Sequence, residues 1–212
     1  MKTAKLVVFL LLTVFWALPA LAEIDPALLK KAEAGDAKAQ VELARIYGQG
    51  QGVPQDDKEA VAWLSKAANQ GLAEAQVNLG FAYAHGRGVP QDSKQAVAWY
   101  RKAANQGYAA GQYTLGVMYD EGRGVPQDDK QAVAWYRKAA NQGNIYAQSN
   151  LGAMYGEGRG VPQDLITGCA WIYISGAEKN RAACDTHLTA AQKTKTLAMK
   201  DEIARKIAAG GH

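Results

Sequence analysis

The sequence predicts an all-α fold, a solenoid of stacked helix-turn-helix units, and three observations carry that expectation. The phrase Gly-Val-Pro-Gln-Asp occurs four times, at Gly52–Asp56, Gly88–Asp92, Gly124–Asp128 and Gly160–Asp164, always 36 residues apart. A fixed frame surrounds it, with Tyr47, Tyr83, Tyr119 and Tyr155 before each phrase and Trp63, Trp99, Trp135 and Trp171 after it. Between the phrases apolar residues recur at spacings of three and four, the period of a helix face. Self-similarity at such a period marks a repeat array, whose units bury their apolar faces only against neighbours.

The first element is a leader. Lys2 and Lys5 precede an apolar run from Leu6 to Leu18, followed by Pro19 and the triplet Ala20-Leu21-Ala22. This is the pattern of a secretory signal peptide covering residues 1–22, with cleavage expected after Ala22. The alternative, a membrane anchor, meets an apolar run several residues short of the roughly 20 needed to span a bilayer. No Cys near the cleavage site is available to carry a lipid. The mature product is therefore expected to be periplasmic or secreted, without a membrane span. With Lys2 and Lys5 gone the formal charge falls from +4 to +2, and no basic block remains. Nucleic acid, which calls for a concentrated Lys/Arg stripe, is not an expected partner.

Residues 23–36 form a half-repeat, in which Ala27 to Gly35 reads as a lone second helix that covers the first full unit. Repeats are expected over 37–71, 72–107, 108–143 and 144–179, the last degenerate at its end, and a capping helix with its tail over 180–212. In the second copy the first helix runs from about Ala73 to Ala84, with Ala75, Leu79, Ala82 and Tyr83 on one stripe. Gly86 and Gly88 end it through positive φ, Val89 folds inward, and Pro90 prevents continuation. Asp92 caps the second helix, with Gln95 at capping-box spacing; Asp56 with Glu59 and Asp128 with Gln131 repeat the pattern, and Thr167 makes the fourth cap weaker. The second helix, about Ser93 to Asn105, sets Trp99 among Ala96, Ala103 and Ala104, and the ring is expected to fill the space between layers. Gly80, Gly116 and Gly152 lie inside helices, where glycine costs roughly 1 kcal/mol relative to Ala. A neighbouring helix or the Trp ring pressing on the backbone would explain them. Ala44 in the same column shows that the need is for smallness.

From Ala75 to Gly107 the chain reads as an Ala-x-x-x-Leu-Gly-x-x-Tyr helix, a Gly-x-Gly-Val-x-x-Asp turn and a Gln-Ala-x-x-Trp-Tyr-x-Lys-Ala-Ala helix. These motifs resemble the Sel1-like repeat family, relatives of the tetratricopeptide repeat, over about Ala27 to Asn180. Gly111, Gly168, Ile172, Leu64 and Ser65 depart from the pattern. The resemblance implies a right-handed α-solenoid that acts as an adaptor in multiprotein assemblies. It also implies that first helices line the concave face, and there two columns vary between copies. One reads Glu42, Asn78, Thr114 and Asn150; the other reads Arg45, Phe81, Val117 and Ala153. Together they would form a groove with a polar strip and an apolar centre, suited to a helix or extended segment of another protein. Neutral drift at these positions is the competing reading.

At the C-terminal end, Thr189-Ala190-Ala191-Gln192 is a capping box opening a final helix with Met199, Ile203 and Ile207 as its stripe. It reads as a cap on the fourth repeat, against the alternative of a partner-docking or membrane-surface helix. Gly210, Gly211 and His212 form a tail. Cys169 and Cys184, the two cysteines of the chain, fit either a structural disulfide or a pair of buried thiols. A turn near Lys179 would set their sulfurs at different heights along a regular hairpin.

Signals for enzyme chemistry are thin. His85, His187 and His212 lack helical pairing and acidic companions at metal-site spacing, and His85 shares a surface column with Gln49, Glu121 and Glu157. Neither Gly-x-Ser-x-Gly nor Ser-x-x-Lys occurs. The expectation is a non-enzymatic scaffold that needs no cofactor or metal and acts as a monomer on another protein. The alternative implied by the family is a cell-wall or β-lactam-related enzyme or ligand binder of the kind found among its cysteine-rich members. Those carry a Cys pair in each repeat, whereas this chain carries one pair in all.

Overall fold

The computed structural model describes residues 24–210, and the leader expected over 1–22 lies outside them, as does the end of the tail. Eleven helices and no strands occur among the described residues. Helix α1 (Pro26–Glu33) precedes four helix pairs: α2 (Ala37–Gln49) with α3 (Asp57–Asn69), α4 (Ala73–His85) with α5 (Ser93–Asn105), α6 (Ala109–Glu121) with α7 (Asp129–Asn141), and α8 (Ile145–Glu157) with α9 (Leu165–Ser175). Two further helices, α10 (Glu178–His187) and α11 (Ala190–Ala208), complete the chain. From α1 to α10 each helix packs on its neighbours in sequence, and α11 packs back on α9. This is the near-neighbour pattern of a helical solenoid.

The turn inside each pair follows from the repeated phrase. Gly86 takes the left-handed conformation (φ 67°) that ends α4. The Asp92 amide donates back to Tyr83 O at 2.9 Å, and Gln91 Nε2 donates to Ala84 O at 2.8 Å, satisfying carbonyls at the helix end. Val89 packs inward beside Val61, Leu79 and Trp99. The Asp92 carboxylate then accepts from the Lys94 and Gln95 amides at the start of α5.

Three expectations are corrected. The Asp caps of α3, α5 and α7 work through the carboxylate, and the reciprocal capping box is formed at α11, by Thr189 and Gln192. The fourth cap is not weaker, because Thr167 Oγ1 adds a 2.7 Å bond to Asp164 Oδ2. The hydroxyl holds the Asp164 carboxyl below its usual range. Nor does Trp press on the helix glycines: Tyr100 lies against Gly80, Tyr136 against Gly116, and Ile172 with the Gly168 backbone against Gly152. Trp63 and Trp171 are buried, while Trp99 and Trp135 are half-buried with Lys102 and Lys138 ammonium groups 3.7 and 4.1 Å from their ring centres.

A glutamine ladder runs through the stack. Gln40, Gln76, Gln112 and Gln148 are buried, and each amide donates to a carbonyl at the end of the preceding second helix: Ala32, Ala68, Ala104 and Ala140. Gln70, Gln106 and Gln142 donate in turn to the side-chain oxygens of Gln40, Gln76 and Gln112, each at 2.8 Å. The Ala32, Ala68, Ala104 and Ala140 carbonyls, which already accept from the amides of Gly35, Gly71, Gly107 and Gly143, thereby gain a second donor from the next unit.

The C-terminal end departs from the repeat. Gly176 (φ 72°) stops α9 three residues before the expected turn near Lys179. The shorter hairpin brings Cys169 and Cys184 to a Cα separation of 5.7 Å, and they form a disulfide. Ile203 and Ile207 of α11 pack on the cluster containing Tyr136, Leu151 and Trp171, and Met199 Sδ lies 3.3 Å from Thr167 Oγ1, whose proton goes to Asp164.

Candidate protein-interaction groove

The first helices α2, α4, α6 and α8 present the variable columns, and the second helices supply the floor. Between α2 and α4 lies a cleft of about 250 Å³ whose lining includes Arg45, Leu64, Asn78, Phe81 and Arg87. Arg45, Asn78 and Phe81 of the expected columns thus meet in one place. Phe81 is 45% exposed, with its ring 4.0 Å from that of His85. Glu42 is paired with Arg45, whose guanidinium holds the carboxyl below its usual range; Arg45 also donates to Gln49 and Gln51. The charged end of the groove is therefore already neutralised.

Further along, the polar column turns inward. Thr114 Oγ1 donates to Ala110 O at 2.9 Å in its own helix, and Val117 packs on the core of the later repeats. Asn150 lies beside the Tyr136 phenol. Ala153 lines a second cleft of about 410 Å³, with Gly152, Ile172, Ala183, Cys184 and His187 among its walls. Four of the eight column residues thus line clefts, Arg45, Asn78 and Phe81 the first and Ala153 the second, while Glu42, Thr114, Val117 and Asn150 line neither.

The stretch between the two clefts holds the residues that sequence reasoning missed. Tyr113 stands 6.0 Å from Tyr136 and 5.8 Å from Tyr146, ring centre to ring centre. Tyr113 and Tyr146 occupy the repeat positions of Val41 and Glu74, both of which line the first cleft. Tyr146 is 64% exposed and Tyr136 fully buried. The Tyr136 hydroxyl donates to Asp120 Oδ2 at 3.1 Å, and Asp120 also pairs with Arg159 of the next unit, which reaches Asp129 at 2.9 Å. Burial, above all, pushes the Tyr136 phenol far above its ordinary value, so it stays a neutral donor. Asp120 falls in a column otherwise filled by Gly48, Ala84 and Gly156, and that single departure was the available signal.

Among the described residues no group of His, Cys, Asp or Glu is placed to hold a metal ion, and no helix is long and apolar enough to cross a membrane.

A stacked array of near-identical helix pairs with a shared face of variable side chains defines a helical-repeat protein. The Sel1 repeat signature matches residues 37–72, 73–108, 109–144 and 145–179, and the chain belongs to the Sel1 repeat family. Among solved structures it is similar to c5321, described as a protective antigen of uropathogenic Escherichia coli strains with an SLR fold, at 43% identity and a TM-score of 0.71, over 74% of this chain and 34% of that one. A Sel1 repeat protein from Oxalobacter formigenes is 36% identical with a TM-score of 0.67, over 74% of this chain and 62% of its own. This chain therefore spans about a third and just under two thirds of those proteins. The immunity protein Pa5087 of Pseudomonas aeruginosa shares the fold at 19% identity and a TM-score of 0.51, over 90% of this chain and 75% of that one. No curated protein matches the chain. Membership of the Sel1 repeat family suggests a scaffold for protein–protein interaction.

Proposed function

We propose that the protein is an exported, non-enzymatic scaffold that binds a helix or extended segment of another protein along its first-helix face. One observation carries this reading: Phe81 and Tyr146 stand out to solvent on the face where the equivalent repeat positions are occupied by Arg45, Val117 and Ala153 or by Lys38, Glu74 and Ala110. Rigid aromatic groups on an ordered backbone offer large contact area at little entropic cost. Export is supported by the leader pattern of residues 1–22 and by the disulfide, which persists in oxidising compartments.

The test is capture by crosslinking in the cell envelope, read by mass spectrometry, for the native chain and for Phe81→Ala with Tyr146→Ala. The variants are expected to keep helicity and melting temperature while losing the captured protein. Unchanged capture would overturn the reading. The non-enzymatic part is checked with a chromogenic β-lactam, for which neither turnover nor covalent retention is expected.

A further inference from the structure

The short helix α10 is held by very little. Its N-cap residue, Ala177, makes no side-chain cap hydrogen bond, and its sequence Glu-Lys-Asn-Arg-Ala-Ala-Cys-Asp-Thr-His lacks an apolar stripe. A helix of ten residues is marginal by itself in water. Among its described side chains the buried one is Cys184, followed just past its end by Leu188. Beyond the disulfide, the ties made to the rest of the protein by its described side chains are Tyr173 to Asp185 at 2.6 Å, Asn180 to Ser149 at 3.3 Å, and Arg181 over the Tyr173 ring. Neighbouring α11 is nineteen residues long, carries a full capping box and packs two isoleucines on the core.

Helix α10 also stands over something. It forms one wall of the second cleft, whose opposite side is Gly152, Ala153 and Gly156 of α8 and whose floor includes Ile172. Ser149, bonded by Asn180, occupies the position of Val41 in the first cleft. The end of the first-helix face is therefore covered by a segment fixed through one covalent bond. Both cysteines line the cleft but are only 5% exposed, so a reductant reaches sulfur when the weakly held α10 opens locally.

We propose that the Cys169–Cys184 bridge is a redox latch: oxidised, it pins α10 over the fourth repeat, and reduction by a dithiol frees α10 and uncovers Ala153 and Ile172. A thiolate of the dithiol attacks one sulfur, giving a mixed disulfide and releasing the other cysteine. The second thiol of the reagent then displaces the remaining cysteine. Two electrons and two protons pass to the cysteines, and the dithiol leaves as its own disulfide. The remaining solenoid keeps its Asp caps, glutamine ladder and α11 contacts, none of which involves the bridge. The regulatory meaning of the latch rests on the first-helix face being the binding surface; the latch itself does not.

Amide hydrogen exchange of the full chain, oxidised, reduced with dithiothreitol, and as Cys169→Ser/Cys184→Ser, tests this without any partner. Exchange across 178–187 is expected to rise by about tenfold or more in the reduced and double-Ser forms, with α2 to α7 and α11 unchanged. Unchanged protection of α10 would overturn the proposal, because other contacts would suffice to hold it. Loss of protection spreading through α8, α9 and α11 would overturn it too, since the bridge would then be a staple of the whole end. Partner capture by the Phe81 and Tyr146 variants is measured separately, so the binding reading can fail while the latch stands.

Discussion

A Cβ built at Gly80 would stand 2.6 Å from Tyr100 Cε1, and one at Gly116 would stand 2.7 Å from Tyr136 Cδ1. The tyrosine ring lies on bare helix backbone, and in the first unit Ala44 is matched by the smaller Leu64. Gly80→Ala should therefore destabilise by about 1–3 kcal/mol through overpacking, despite its better helix propensity. Adding Tyr100→Leu should recover part of that loss. Thermal or urea melts of the four-member cycle would show a favourable coupling, and strict additivity would refute the pairing. A second residue-scale effect concerns Asp164. Its folded pKa is depressed, chiefly by the Thr167 hydroxyl, so its contribution is present above the unfolded carboxylate pKa and lost as pH falls through the folded value. Thr167→Val should cost about 0.5–1.5 kcal/mol at pH 7, with the difference from the native chain shrinking in acid.

At the scale of elements, each unit is joined to the next by groups that look unremarkable in a single repeat. A Cβ on Gly124 would fall 2.3 Å from Ser93 O, and one on Gly160 would fall 2.4 Å from Asp129 O. The glycine that opens each later phrase thus lets the turn rest on the start of the previous unit's second helix. Helix positions, the turn chemistry and the inward Val were legible from spacing, because they follow from local backbone preferences. The glutamine ladder was not, since Gln40 and Gln70 lie thirty residues apart and their pairing exists only after stacking. For the same reason Tyr, rather than Trp, emerged as the residue against the glycines: helical spacing selects a face but not which ring meets which backbone. Of the groove, Phe81 was readable as a departure from the frame, whereas Asp120 and Tyr113 acquire meaning through Tyr136 and Arg159. Gln112→Leu would remove the acceptor of one Gln142 amide hydrogen and the second donor to the Ala104 carbonyl, which keep their bonds to the Gly107 carbonyl and amide, at a cost of about 1 kcal/mol. Denaturant melts should show this loss, and a neutral change would mean that water takes over both partners.

At the scale of the whole molecule, stability in such an array is a sum of unit terms and nearest-neighbour interfaces. The two ends are closed differently: α1 is a single short helix, whereas α11 covers the last pair through Ile203 and Ile207, both half-buried. Tyr136, Leu151 and Trp171 share their cluster, so α11 reinforces the last junction and reaches the first pair only through intervening interfaces. Truncating Ile203 and Ile207 to Ala together should cost about 2–4 kcal/mol, less than for two fully buried isoleucines. The loss should be local. Amide exchange should accelerate in α8, α9 and α11, less in α6 and α7, and not at all in α2 to α4, because each interface passes on only part of the strain. Uniform acceleration from α2 to α11 would show instead that the four pairs unfold as one cooperative block.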